Sequence, residues 1–357
     1  MKARVLMPHW LDGMNIYIQE LGKAYQDAGC ELIYGVDNLF EVTVKADIVH
    51  LHWPEAFYRW SGWGSPEDRA KRFIAALDAY KRMGAKVVWT VHNLSPHEHV
   101  RPGLDSAVYQ DVLVRTDLVI HHCPKSMQLL SEHYIVPANT CQMILPHGHY
   151  LAYPSAFSRE ASRQELGIPI DAFVYLHFGA IRSYKGLDTL LTAFRKVRNP
   201  KKWLLIAGNY RAASGKGAWR DKVFITLSRY LSPRMTLHFQ SVPSEELQKF
   251  LVASDCMVLA HSRGLNSGVA VLGMTFGKLL IGPKLGCIEW VLSSGKNILF
   301  DANRPESLIE AMDQAPAFDL EKVHATNSAI AAQWGWDVMA KSVLRHFAIP
   351  LAATGPA

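Results

Sequence analysis

The sequence contains no apolar run long enough to cross a bilayer, so no membrane-spanning helix is expected. Its opening stretch, MKARVLMPHW, turns polar quickly, so it is not expected to act as a secretory leader. Cysteine is sparse: the five residues (Cys30, Cys123, Cys141, Cys256, Cys287) are odd in number and form no CxxC pair. That excludes a small disulfide scaffold and leads to an expectation of reduced, mostly buried thiols. Internal repeats, heptads and low-complexity tracts are also missing, which excludes solenoid and fibrous architectures. Acidic residues nearly vanish from residues 182–234, where 13 Lys and Arg face only Asp188 and Asp221.

What is present is a soluble, core-forming composition of 357 residues, 49% hydrophobic and 20% charged, enough for two domains. The net charge of +6 is uneven: residues 1–160 hold 15 basic and 17 acidic groups, so the excess lies wholly in the rest. Histidine runs the other way, with 11 of 16 before residue 150. The second half is therefore suited to meeting negative charge.

Both halves alternate short apolar runs with helix-period stretches. In the first, RVLMPHW, ADIVHLHW, AKVVWTVHN, TDLVIHHC and CQMILPHG read as strands; NIYIQELGKAYQDAG and PEDRAKRFIAALDAYKRMG read as helices closed by glycine. In the second, FVYLHFG, KWLLIAGN, MTLHFQSV, CMVLAHS and KLLIGP are strands; GLDTLLTAFRKV, SEELQKFLVAS, SGVAVLGMTFG and CIEWVLSSG are helices. This is the pattern of parallel α/β sheets. The expected architecture is two doubly wound, Rossmann-like domains facing a cleft, over 1–155 and 165–333. The intervening YPSAFSREASRQELGIPIDA serves as linker, and WGWDVMAKSVLRHF near the C-terminus reads as an amphipathic helix. Ligands of such sheets sit beyond the carboxyl ends of the strands.

At one strand end, HFGAIRSYKG places Arg182, Lys185 and Gly186 just before a helix. At another, RGLNSG places Asn266, Ser267 and Gly268 at a helix start, whose free N–H groups form an anion site. Together they are suited to clamping a diphosphate. Taken singly, each loop reads equally well as a solvated turn. Asp12, Glu55 and Glu98 are the acids near strand ends of the first half, and His92 ends a strand. Any of the three acids could serve as a general base, and Glu55 is favoured over Glu98 and Asp12 because Pro54 fixes the backbone just before it. The aromatic stretch FYRWSGWG, with Trp60 and Trp63, offers faces for sugar rings or a membrane interface, or simply a folded-over loop. Three His-x-His pairs (50/52, 97/99, 147/149) raise a metal reading, which is set below core or substrate-facing roles.

The order FGAIRSYKGLDTLLTAF, LLIAGN, VPSEELQKF, NSGVAVLGMTFGKLLIGP, GCIEWVL resembles the C-terminal half of a GT-B glycosyltransferase. With HLHWPE, TVHNLSPHE and HGHY, it is similar to bacterial exopolysaccharide transferases of the xanthan β-mannosyltransferase type. The resemblance implies an enzyme that moves mannose from GDP-mannose, with inversion, to a polyprenyl-diphosphate-linked oligosaccharide. It implies donor contacts from Gly13, Arg182, Lys185, Gly186, Asn266, Ser267, Gly268 and Glu289, a sugar-orienting His92, and acceptor contacts from Trp53, Trp60 and Trp63. It also implies a last helix over 334–357 that crosses back to the first domain, no cofactor and no metal, no nucleic-acid partner, and a cytoplasmic protein on the inner face of the membrane. Retaining relatives of this fold carry two glutamates eight apart; here those positions are Gly264 and Leu272, which favours inversion. A retaining transferase or phosphorylase on another nucleotide sugar, a sugar-nucleotide epimerase, and a non-catalytic binder remain alternatives.

Overall fold

A computed structural model describes residues 2–10, 15–59, 64–96, 101–153, 156–209 and 234–351. The chain divides into two compact units, Met1–Gly148 with Trp334–Ala357, and His149–Gln333.

The first unit is built on a parallel six-stranded sheet. Its strands are β1 (Arg4–Met7), β2 (Glu31–Tyr34), β3 (Ile48–Leu51), β4 (Lys86–Thr90), β5 (Leu118–His121) and β6 (Cys141–Ile144), in the order β2-β1-β3-β4-β5-β6. The inner strands are short, rich in β-branched residues and buried on both faces, as a helix-covered parallel sheet requires. Helix α1 (Ile16–Asp27) starts where the Asn15 side chain accepts the Tyr17 N–H. The connections also hold α2 (Val36–Glu41), α3 (Glu55–Arg59), α4 (Pro66–Arg82), α5 (Pro102–Arg115) and α6 (Pro124–His133). A reciprocal Ser65–Asp68 capping box opens α4.

The second unit has its own parallel sheet: β7 (Phe173–Phe178), β8 (Lys202–Ala207), β9 (Met235–His238), β10 (Cys256–Val258), β11 (Leu279–Pro283) and β12 (Ile298–Phe300). Their order is β12-β11-β10-β7-β8-β9. Among the described residues the helices of this unit are α7 (Arg159–Glu165), α8 (Leu187–Lys196), α9 (Leu247–Ala253), α10 (Gly268–Thr275), α11 (Gly286–Ser293), α12 (Pro305–Gln314) and α13 (Leu320–Ala332). The core on one face joins Tyr175, Leu190, Phe194, Ile206 and Ile281.

The stretch expected to be linker carries α7. The Ser158 hydroxyl caps it, and the buried Arg163 guanidinium donates to the carbonyls of Ala253, Ile170 and Ala172 and to Asp255. A fully buried guanidinium is tolerated because its donors are met. The closing helix, α14 (Trp336–His346), lies in the first unit, with Trp336 edge-on to Tyr17 of α1 at 4.7 Å between ring centroids. Cys30, Cys141 and Cys256 carry free thiols, so the expectation of reduced cysteines holds for three of the five. No helix among the described residues is long and apolar enough to cross a membrane.

Candidate active site

In the second unit the strand order reverses at β7. The chain runs from β7 outward to β8 and β9, then returns to place β10 on the other side. The loops after β7 and β10 therefore meet at the point where doubly wound sheets bind ligands. The loop after β7 carries Arg182 and, in a 3-10 turn over Ser183–Lys185, Lys185. It closes at Gly186, whose φ of +62° lies in the left-handed region, and a Cβ there would stand 2.0 Å from the Ala260 carbonyl oxygen. Glycine thus lets this loop rest directly on the backbone beyond β10. Ser262 fastens the two loops again, its N–H donating to the Tyr184 carbonyl at 2.9 Å.

This packing sets the lysine. Lys185 is buried, and its Nζ lies 3.2 Å from where a Cβ on Gly179 would stand; Val269 Cγ2, in the first turn of α10, lies equally close to that point. The ammonium is therefore held beside the helix N-terminus. Ser267 is the N-cap of α10 but makes no side-chain cap bond, which leaves the capping role to other partners. Among the described residues neither Arg182 nor Lys185 has a side-chain hydrogen bond or ion pair. Burial, and then the Arg182 charge, push the Lys185 ammonium down to about 8. Two cations without a side-chain hydrogen bond or ion pair at a switch point have the chemistry to meet an anion.

A third loop joins them. A Cβ on Gly286, at φ +51°, would stand 2.7 Å from the Leu265 carbonyl oxygen, and the Cys287 N–H donates to that same carbonyl. This ties the start of α11 to the 263–267 loop. Glu289 follows in the first turn of α11, exposed. Gly264 and the buried Leu272 offer no carboxylate.

His177 was not singled out by sequence. It lies on β7 two residues before Gly179, on the same face, and is buried, with its Nδ1–H donating to the Val258 carbonyl at 3.2 Å. The available signal was a lone histidine in an otherwise apolar strand.

In the first unit, histidines gather at the strand ends. His50 is held at both nitrogens, by the Tyr25 hydroxyl and by Thr90 Oγ1. It stacks on His52 at 4.5 Å, and His52 Nδ1 is 3.2 Å from His92 Nε2. The His92 ring stacks on Trp53 at 4.3 Å and 19°, and the edge of Tyr17 meets it at 4.7 Å. His122 and His147 continue the group. Burial pushes all of these imidazoles down, His50 and His122 to about 3 and His147 to about 4. They are neutral rings. Among the described residues no three His, Cys, Asp or Glu come together to hold a metal ion.

Glu55 stands differently from the expectation of a cleft-facing strand end. It begins α3, is 4% exposed, and its Oε2 accepts the Tyr109 hydroxyl at 2.6 Å. Burial raises its carboxyl, which the Tyr109 bond partly opposes. Asp12, Gly13, Trp60, Trp63 and Glu98 lie outside the described residues.

Residues 158–326 match the family described as glycosyl transferases group 1. The GDP-mannose:glycolipid 4-beta-D-mannosyltransferase of Xanthomonas campestris pv. campestris is 27% identical over 274 residues, 75% of this chain and 70% of that protein. Among solved structures, sucrose-phosphate synthase from Thermosynechococcus elongatus superposes with a TM-score of 0.74 at 18% identity, covering 97% of this chain and 98% of that one. Anabaena HepE in complex with UDP gives 0.74 at 14% identity, covering 98% and 99%. With its two parallel six-stranded sheets, the fold is GT-B, and these findings together support a glycosyltransferase.

Proposed function

We propose that this chain transfers mannose from GDP-mannose, with inversion, to a lipid-linked oligosaccharide. The observation that carries the reading is the pair of unneutralised cations, Arg182 and Lys185, in one loop at the switch point of the second sheet, with Lys185 beside the N-terminus of α10. In this reading they hold the donor's two phosphates and stabilise the charge that develops as the sugar–phosphate bond breaks. The N–H groups opening α10 contribute further donors, and Glu289 holds a ribose hydroxyl. The 27% identity to a GDP-mannose:glycolipid mannosyltransferase supports mannose and a glycolipid acceptor. Gly264 and Leu272 support inversion, because neither supplies a carboxylate to the donor.

His92 orients the donor sugar, and Trp53 lies against it. The base that takes the acceptor's proton is assigned to Asp12 or Glu98, with Glu55 as an internal anchor for Tyr109. Trp60 and Trp63 serve the acceptor or the membrane surface, and the chemistry uses protein cations without a metal or cofactor. The test is a thermal-shift screen of nucleoside diphosphates and their sugars, followed by NMR of the product formed from the best donor on a lipid-linked saccharide. The reading expects GDP-mannose and a β-linkage. An α-linked product revives the retaining class, and binding without turnover supports a non-catalytic binder.

A further inference from the structure

We infer that His52 is a positioning residue that fixes His92 as the Nδ1–H tautomer, so that His92 accepts at Nε2 and donates from Nδ1. The inference rests on the proposed role of His92 at the donor sugar. His52 Nδ1 and His92 Nε2 lie 3.2 Å apart, and both rings are buried. A neutral imidazole carries one N–H, so one of these two nitrogens donates and the other accepts.

The far end of the His52 ring decides which. His52 Nε2 is buried and has no hydrogen-bond partner among the described residues. Were His92 the donor, His52 would have to carry its own proton on that Nε2, leaving a buried N–H with nothing to accept it. Buried donors without partners are the rarer kind of unsatisfied group, and each costs the desolvation of the N–H. With the proton on His52 Nδ1, the donor is satisfied by His92, and only a lone pair is left unmet.

Packing then holds both rings in this contact. His50, anchored by Tyr25 and Thr90, stacks on His52 at 4.5 Å and 25°. Trp53 stacks on His92 at 4.3 Å, and the ring of Tyr17 meets His52 and His92 edge-on at 5.3 and 4.7 Å. Trp336 of α14 presses on Tyr17 at 4.7 Å from the other side of the sequence. These neighbours fix the plane of each imidazole, and the hydrogen bond between His52 and His92 sets which edges meet. The supporting shell of a group that must donate in one direction has this form.

The experiment is a long-range proton–nitrogen spectrum of the full chain with labelled histidine, in which His92→Gln identifies the His92 signals. The parent is expected to show a protonated Nδ1 and a bare Nε2 at His92. His52→Leu is expected to move His92 toward the Nε2–H form. His52→Asn, whose amide N–H stands near the lost Nδ1, is expected to restore the parent pattern. In the transfer assay, kcat is expected to fall at least about tenfold in His52→Leu and to recover in His52→Asn, with the donor KM within about twofold in both. An Nε2–H His92 in the parent overturns the inference, as does an unchanged His92 signal in His52→Leu. Should His52→Leu fail to fold, the parent's tautomer and its retention in His52→Asn decide. If the tautomers behave as expected but the parent turns over no nucleotide sugar, the functional reading fails and the positioning stands.

Discussion

Acidifying the protein from about pH 7 to about pH 5 is expected to destabilise the first unit severely, through its buried histidines. His50 and His122 are pushed down to about 3, and His121 and His147 to about 4, with burial the leading cause for each. An unfolded chain takes these protons near pH 6.5. The folded chain refuses them until the pH reaches its own lower values. The unfolded state therefore binds more protons between those limits, and stability falls as pH falls through that window. Each histidine contributes about 1.4 kcal/mol per pH unit, or about 2 kcal/mol between pH 6.5 and 5. Two that titrate independently remove about 4 kcal/mol, a large share of the roughly 5–15 kcal/mol that a domain has. Urea unfolding followed by hydrogen exchange at β3 and β4 amides measures this at each pH. Loss of about 4 kcal/mol or more is expected at those strands. A first unit as stable at pH 5 as at pH 7 would refute the reasoning, because its histidines could not then be neutral and buried.

Three further outcomes follow from the same geometry. Gly186→Ala forces a Cβ to within 2.0 Å of the Ala260 oxygen in a left-handed backbone, so the clamp loop must shift. Diphosphate affinity by calorimetry is expected to drop at least about tenfold while the far-UV circular dichroism is kept. Burial holds Lys185 at about 8, and the lysine is charged below that value, so diphosphate affinity is expected to hold up to about pH 7.5 and fall from there to about pH 9. A flat binding profile over that range would contradict the assignment. Glu55→Gln keeps an oxygen for the Tyr109 hydroxyl and removes a charge that burial disfavours. Its melting temperature is expected to be unchanged or higher and its turnover within a few-fold, whereas Asp12→Asn or Glu98→Gln is expected to lose about 10²–10⁴ in rate. A dead Glu55→Gln with intact donor binding would return the base to that residue.

Much of this was legible in the sequence because it is local. The run into Gly179, then Arg182, Lys185 and Gly186, then an amphipathic helix, states a strand–loop–helix order, and β7 and α8 fall where that pattern puts them. Strand β2 is marked only by the three-residue apolar run Leu32, Ile33 and Tyr34 after the exposed Glu31 at the sheet edge, too short to be told from a turn. Helix α5 was passed over for a different reason. Its inner face includes Asp105, which accepts from the Tyr58 hydroxyl and Arg59, and this breaks the apolar period. The histidine group shows the limit most clearly. The His-x-His spacing at 50 and 52 predicts a shared face, which the stacked rings have. That His92, His122 and His147 join them depends on the order β3-β4-β5-β6, which brings distant strand ends side by side and leaves no local mark. Likewise the tie between Gly186 and Ala260 is a close approach of two loops 74 positions apart.

The central claim is that Arg182 and Lys185 form a diphosphate clamp, and calorimetry with GDP and guanosine on the parent, Arg182→Met and Lys185→Met tests it most directly. A hydrogen bond to a charged partner is worth about 1.5–3 kcal/mol, so each substitution is expected to weaken GDP about tenfold to a hundredfold and to leave guanosine unchanged. GDP affinities equal to the parent's in both variants would contradict the account.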